Sequence, residues 1–179
     1  MADEVGLERL TLAALAARLG VRQPSLYKHI DGLDALRRGI SVRAKSELAY
    51  VLAMAAVGRD GGDAITSIAH AYRAWALEHP GRYAAAQRAP AAGDADDQAA
   101  SLAVVRVATD VLAGYELHDD DAIDATRALR ATLHGFITLE IAGGFGLPVD
   151  IDRSFERLVE GLIAAFSQWT RDESVARSR

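Results

Sequence analysis

Residues 10–36 read LTLAALAARLGVRQPSLYKHIDGLDAL, and the reading of this stretch decides the fold. Thr11 is a good N-cap, and Leu12, Leu15, Ala16 and Leu19 recur at helical spacing, which puts one apolar stripe on a short helix. Gly20 stops it. After Val21 a second short helix begins with Pro24 in its first turn, where the missing N–H costs nothing and the fixed φ suits the helix. Leu26 and Ile30 can pack inward, which leaves Arg22, Gln23, Ser25, Tyr27, Lys28 and His29 for the outside. Two short helices joined by a glycine turn form a helix-turn-helix.

The chemistry of the outward face fits a nucleic-acid groove. Arg forks onto guanine, Gln pairs with adenine, Ser and Tyr donate to phosphates, and Lys supplies a point charge for the backbone. The N-terminus near Arg22 and Gln23 adds free N–H groups and the positive end of the helix dipole. Arg22 is a poor N-cap compared with Ser or Thr, so a purpose other than helix stability is expected for it. Taken singly, each of these residues is an ordinary solvated side chain on a surface helix. Taken with the turn and the two helix lengths, they point to binding of double-stranded DNA.

These residues resemble the helix-turn-helix of the TetR family of bacterial transcriptional repressors. The matching positions are Leu10-Thr11, Leu19-Gly20-Val21 and Leu26-Tyr27-Lys28-His29-Ile30, and Gln23-Pro24-Ser25 is similar to the Gln-Pro-Thr of the tetracycline repressor. The resemblance implies that Gln23, Pro24, Ser25 and Lys28 face bases while Tyr27 and His29 hold phosphates. For His29 the competing role is packing of the recognition helix. Three departures stand out. Leu12 and Ala13 replace the Thr and Arg of the tetracycline repressor, and Leu33 replaces a frequent Lys, so those contacts are expected to be absent. Residues 1–6, MADEVG, read as the tail of the family's first helix plus its turn. A head truncated in this way lacks one wall of its core and is expected to bind DNA weakly.

At 179 residues, half of them apolar, the chain can bury a proper core. The division expected is a helix-turn-helix domain over residues 1–45, incomplete at its N-terminus, and a helical effector-binding and dimerisation domain over 46–179. With no cysteine there are no disulfides, thiolate metal sites or Cys nucleophile. Residues 1–6 are short and acidic, unlike a secretory signal, and the longest apolar stretch, 48–57, is half the ~20 residues a membrane span needs. A cytoplasmic protein without membrane contact is expected. Charge divides unevenly: residues 1–45 carry a net +3 and the remainder −8. A mildly basic head on an acidic body suits docking by the head.

Beyond the motif the chain reads as helix after helix, an all-α fold without the period-two alternation of a strand. Helices are expected over about 33–57 and 63–78, the second capped by Asp63 and burying Ile65, Ile68, Ala69, Tyr72, Trp75 and Ala76. His79-Pro80-Gly81 ends it, a short helix runs to Arg88, and 90–97 is a loop. Helix resumes over about 97–115, turns at 118–121, and continues over about 122–142 to the Gly143-Gly144-Phe145-Gly146-Leu147-Pro148 break. The last helix covers about 152–169, with a frayed charged tail from Arg171.

The last two long helices read as a homodimer surface. Ile123, Thr126, Leu129, Leu133, Phe136, Ile137 and Ile141 form one stripe, and Phe155, Leu158, Val159, Leu162, Phe166 and Trp169 form the other. Gly135 and Gly161 sit inside these helices, where close helix approach would explain them. The competing reading buries both stripes in their own chain. A two-fold four-helix interface is preferred, since a reader of palindromic sites needs paired heads about one DNA turn apart. The region also resembles the Trp-His-Gly type of C-terminal domain within the TetR family, through Leu133-His134-Gly135 and 143–148, with Leu133 in place of the Trp.

The family resemblance implies an effector pocket in the helical body. Tyr50, Met54, Tyr72, Trp75, Tyr83 and Phe136 are candidates to line it, with His79 or His134 as polar handles for a small-molecule effector. Catalytic residues, cofactors and metals are not expected. The histidines lack a His-Glu-x-x-His pattern, phosphate-cradling glycine loops are absent, and the Asp94–Asp97 and Asp119–Asp121 runs read as solvated turns or helix N-terminal charge. The alternative function is a helical small-molecule-binding or dimerisation module without DNA-binding competence.

Overall fold

The structure, a computed structural model, describes residues 1–117 and 119–177. Among these the chain is helical without strands: α1 (Ala2–Val5), α2 (Leu12–Leu19), α3 (Gln23–Leu26), α4 (Gly32–Ala56), α5 (Gly61–Glu78), α6 (Pro80–Ala86), α7 (Ala95–Leu112), α8 (Asp119–Ile141) and α9 (Ile151–Arg177). A 3-10 turn, Ala113–Tyr115, follows α7. No helix among the described residues is long and apolar enough to cross a membrane.

The head forms as its local signals dictate. The Thr11 hydroxyl accepts a bond from the Ala14 N–H at 3.1 Å, which caps α2. Gly20 ends it at φ 68°, a left-handed conformation that a Cβ would penalise, and the Val21 N–H turns back to the Ala16 carbonyl at 3.0 Å. Pro24 sits in the first turn of α3. The regular helix of α3 spans one turn, yet the Ile30 N–H reaches the Leu26 carbonyl at 2.9 Å, so the helical course carries on to Ile30. Leu12, Ala16 and Leu26 are buried together, with Leu15, Leu33 and Leu36 packed around them.

The body holds the larger core. The whole expected stripe of α5 is buried, from Ile65 to Ala76, against Leu48 and Leu52 of α4, Leu129 and Leu133 of α8, and Phe155 and Phe166 of α9. Each fully buried Leu, Ile or Phe contributes about 1.5–3 kcal/mol of transfer free energy, which is what holds the long helices together.

Several boundaries differ from expectation, each for a local reason. α5 starts at Gly61, so Asp63 lies in its first turn instead of capping it. Pro80 opens α6 directly after His79, because proline suits a first turn. α7 begins at Ala95 beyond the Asp94 cap, whose carboxylate accepts the Asp97 N–H at 3.2 Å, and the expected loop is shorter by that much. α8 starts at Asp119, where three aspartates suit the positive dipole end. The turn expected over 118–121 includes His118, which lies outside the described residues. α9 continues to Arg177 where a frayed tail from Arg171 was expected.

Candidate functional site

Leu26, 6 % exposed, anchors the one-turn helix to the head. Around it Arg22, Gln23, Pro24, Ser25, Tyr27, Lys28 and His29 are all exposed, and Ile30 is half-buried. None of the seven side chains makes a hydrogen bond or ion pair within the described chain, apart from bonds of their backbone. Polar side chains held on a rigid turn with unspent donors are what a groove-reading surface requires. His29 lies on the solvent side of the turn, not in its core.

A second site lies inside the body. A cavity of about 240 Å³ is walled by Leu48 and Leu52 of α4, Ile68 and Tyr72 of α5, Val104 of α7 and Leu133 of α8. Its polar rim carries Gln87, Arg88, Thr126 and Arg130, and Lys45 lines it from α4. The Gln87 amide links the rim: its N–H donates to the Tyr72 hydroxyl at 3.4 Å and its carbonyl accepts from Arg130 at 3.3 Å.

α4 joins the two sites, because Leu33 and Leu36 at its start pack in the head core while Leu48 and Leu52 wall the cavity. Three charged contacts bind α4 to the N-terminus of α7. Arg38 forks onto Asp94 at 2.6 and 2.5 Å and reaches Asp96 at 3.0 Å, while the buried Lys45 ammonium meets Asp97 at 2.5 Å. The hydrogen bonds from Arg38 hold the Asp94 carboxyl below its ordinary pKa. Ser41, fully buried one turn before Lys45, has no partner for its hydroxyl among the described residues.

α1 ties the other side. The Asp3 carboxylate accepts the Arg82 N–H at 2.8 Å and Arg82 Nε at 2.7 Å, and Glu4 pairs with Arg18 of α2. Arg82 also meets Glu47 of α4 at 2.7 Å. Burial pushes the Asp3 carboxyl up, but the Arg82 bonds and charge outweigh it and the net shift is downward.

The residues expected to line a pocket are dispersed. Only Tyr72 faces the cavity. Tyr50 and Met54 are 68 % and 54 % exposed on the outer face of α4, and with Trp75 and His79 the first of these borders a shallow outer groove. Tyr83 is buried and bonds His134 Nδ1 at 2.6 Å, and Phe136 packs against Phe145 and Phe155 at 4.7 and 5.2 Å between ring centres. The expected dimer residues also divide. Leu129, Leu133, Ile137, Phe155 and Phe166 are buried in their own chain, because α5 already covers that side of α8 and α9. Leu158 and Leu162 are half-buried, and Gly135 and Gly161 are exposed with open space where a Cβ would stand. The cavity residues missed by the sequence reading, Leu48, Leu52, Gln87 and Arg130, carried only the ordinary signal of helix amphipathicity.

The comparisons agree with this architecture. The family described as "Tetracyclin repressor-like, C-terminal domain" matches residues 65–162. An uncharacterised HTH-type transcriptional regulator of Mycobacterium tuberculosis, Rv0681, is 37 % identical over 169 residues, covering 94 % of this chain and 77 % of that protein. The uncharacterised HTH-type regulator YobS of Bacillus subtilis is 39 % identical over 153 residues, 84 % of this chain and 78 % of its own. Among solved structures, the fold is shared with a TetR variant of Acinetobacter baumannii in complex with minocycline, at a TM-score of 0.70 and 23 % identity over 94 % of this chain and 91 % of that one. With its helix-turn-helix head and helical body, this chain belongs to the TetR family of transcriptional regulators.

Proposed function

We propose that the chain acts in the cytoplasm as a homodimeric repressor that binds a palindromic operator through residues 1–45 and is released by a small molecule held in residues 46–179. The observation that carries this reading is a single helix, α4, whose first turns belong to the head core and whose later turns wall the cavity. In this reading Arg22, Gln23, Pro24, Ser25 and Lys28 face bases, while Tyr27 and His29 hold the backbone. A guest that prefers one setting of α4 against α7 shifts the spacing of the paired heads, and only its differential affinity for the two settings does work.

The dimer reading rests on what α8 and α9 leave uncovered. Gly135, Leu139, Leu158, Gly161 and Leu162 are exposed or half-buried along the two helices. Apolar side chains beside bare glycine backbone suit close packing against a second copy. The buried Leu129, Leu133, Ile137, Phe155 and Phe166 support that surface from beneath.

Fluorescence anisotropy with duplexes tiled across the DNA flanking the protein's own gene tests the reading. A duplex bound with steep salt dependence is expected, and Lys28→Ala should weaken that binding and relax the discrimination between duplexes. Indifference to every duplex at low salt would leave the non-DNA-binding module as the better description.

A further inference from the structure

The cavity has a chemical polarity of its own. Its walls are hydrocarbon, yet no Asp or Glu is among its lining residues, while three of them are cationic: Lys45, Arg88 and Arg130. Lys45 is already spent, its ammonium 2.5 Å from Asp97 in a pair that water does not reach. Arg88 and Arg130 have no carboxylate within ion-pair distance among the described residues. Elsewhere in the body, Arg73 and Arg82 are each met by two carboxylates.

The rim is arranged to receive an acceptor. Arg130 donates to Gln87 at 3.3 Å and Gln87 donates to Tyr72 at 3.4 Å, both longer than the usual 2.7–3.2 Å or so, so these donors lose little by turning to a better partner. The positive field of Arg130 also reaches inward. His134 is held below its ordinary pKa by burial and then by this guanidinium. A guanidinium fork matches a carboxylate, and a charged acceptor beside it forms stronger bonds than a neutral one. The volume of about 240 Å³ lies under the roughly 300–1,000 Å³ of pockets for drug-sized guests, so the guest is compact.

We propose that this cavity binds a small monocarboxylic acid with a hydrocarbon body, the tail lying between Leu48, Leu52 and Leu133 and the carboxylate held by Arg130 with Gln87 beside it. The proposal rests on the reading of the cavity as the effector site and names the class of effector. Isothermal titration of the full chain with octanoate and with 1-octanol tests it. Octanoate should bind the parent protein and lose at least about tenfold in affinity in Arg130→Met, while 1-octanol binds both proteins alike. Unchanged octanol binding also certifies that the variant is folded. Filling the cavity with Ala108→Phe should remove both probes.

Arg130→Met that weakens neither probe, or both equally, would overturn the acid preference, as would octanoate binding that survives Ala108→Phe. Failure of octanoate to bind the parent protein overturns it as well. The underlying effector reading fails differently: octanoate that binds in the stated way but leaves duplex affinity unchanged would keep the acid site and end its role in release.

Discussion

Lys45 and Asp97 show what one buried contact contributes to this molecule. Both are nearly inaccessible, 3 % and 4 % exposed, and each is the other's only ion-pair partner within 4 Å among the described residues. Taking one charge away leaves the other buried and uncompensated, which costs about 3–5 kcal/mol, whereas replacing both by apolar groups is often neutral. Urea denaturation at fixed protein concentration should therefore rank Asp97→Ala as strongly destabilised and Lys45→Met/Asp97→Leu close to the parent. His134 gives a second, titratable case. Burial and then Arg130 lower its pKa from 6.5, so folding favours the neutral ring. A depressed folded value means that the stabilisation is complete above pH 6.5 and is lost as pH falls through the lower folded value. The melting temperature should drop as the solution is acidified below that point, and His134→Gln should flatten this part of the profile. Neither contact was legible in the sequence. Lys45 and Asp97 are far apart along the chain, and nothing near either residue marks its partner.

Elements were far more legible than sites, and α2, α4 and α5 show why. Thr11, Gly20 and Pro24 act on backbone within a turn of themselves, so the head could be placed from local signals. α5 has one broad apolar stripe and its buried face follows directly. α4 instead carries two stripes. Ala44, Leu48 and Leu52 are buried, while Tyr50 and Met54 lie exposed on its other side. Periodicity marks both stripes equally, and only the arrival of α7 selects between them, so Tyr50 and Met54 were placed in a pocket they do not reach. α1 and α6 add a contact that sequence could not show. A Cβ on Gly81 would stand far inside contact distance of the Ala2 carbonyl oxygen, so the helices meet there because residue 81 has no side chain. Gly81→Ala should force α1 away from α6, break the Asp3–Arg82 bonds, and cost about 1–3 kcal/mol as an overpacking change. Hydrogen exchange should then show lost protection confined at first to residues 2–5 and the start of α6. Unaltered protection there would mean that the close approach is relieved without undocking.

At the scale of the whole molecule, the proposed function depends on a second copy, since one head spans only half of a palindromic site. The exposed surface of α8 and α9 offers the place: Leu139 is 52 % exposed, with Gly135 and Gly161 bare between neighbouring turns. Gly161→Arg separates folding from assembly. Within one chain a side chain at 161 meets open space, and Arg is a better helix former than Gly by several tenths of a kcal/mol, so the subunit should fold at least as well. In a close two-fold packing the same side chain becomes a charged wedge. Sedimentation should therefore show the parent as a dimer and Gly161→Arg as a monomer with unchanged helix content. DNA affinity should fall with it, and the salt slope should drop to about half, because only one head's phosphate contacts release counterions. A Gly161→Arg protein that remains dimeric would move the interface away from α9, and one that becomes monomeric yet binds duplex with the parent's slope would show that pairing of heads does not set DNA affinity.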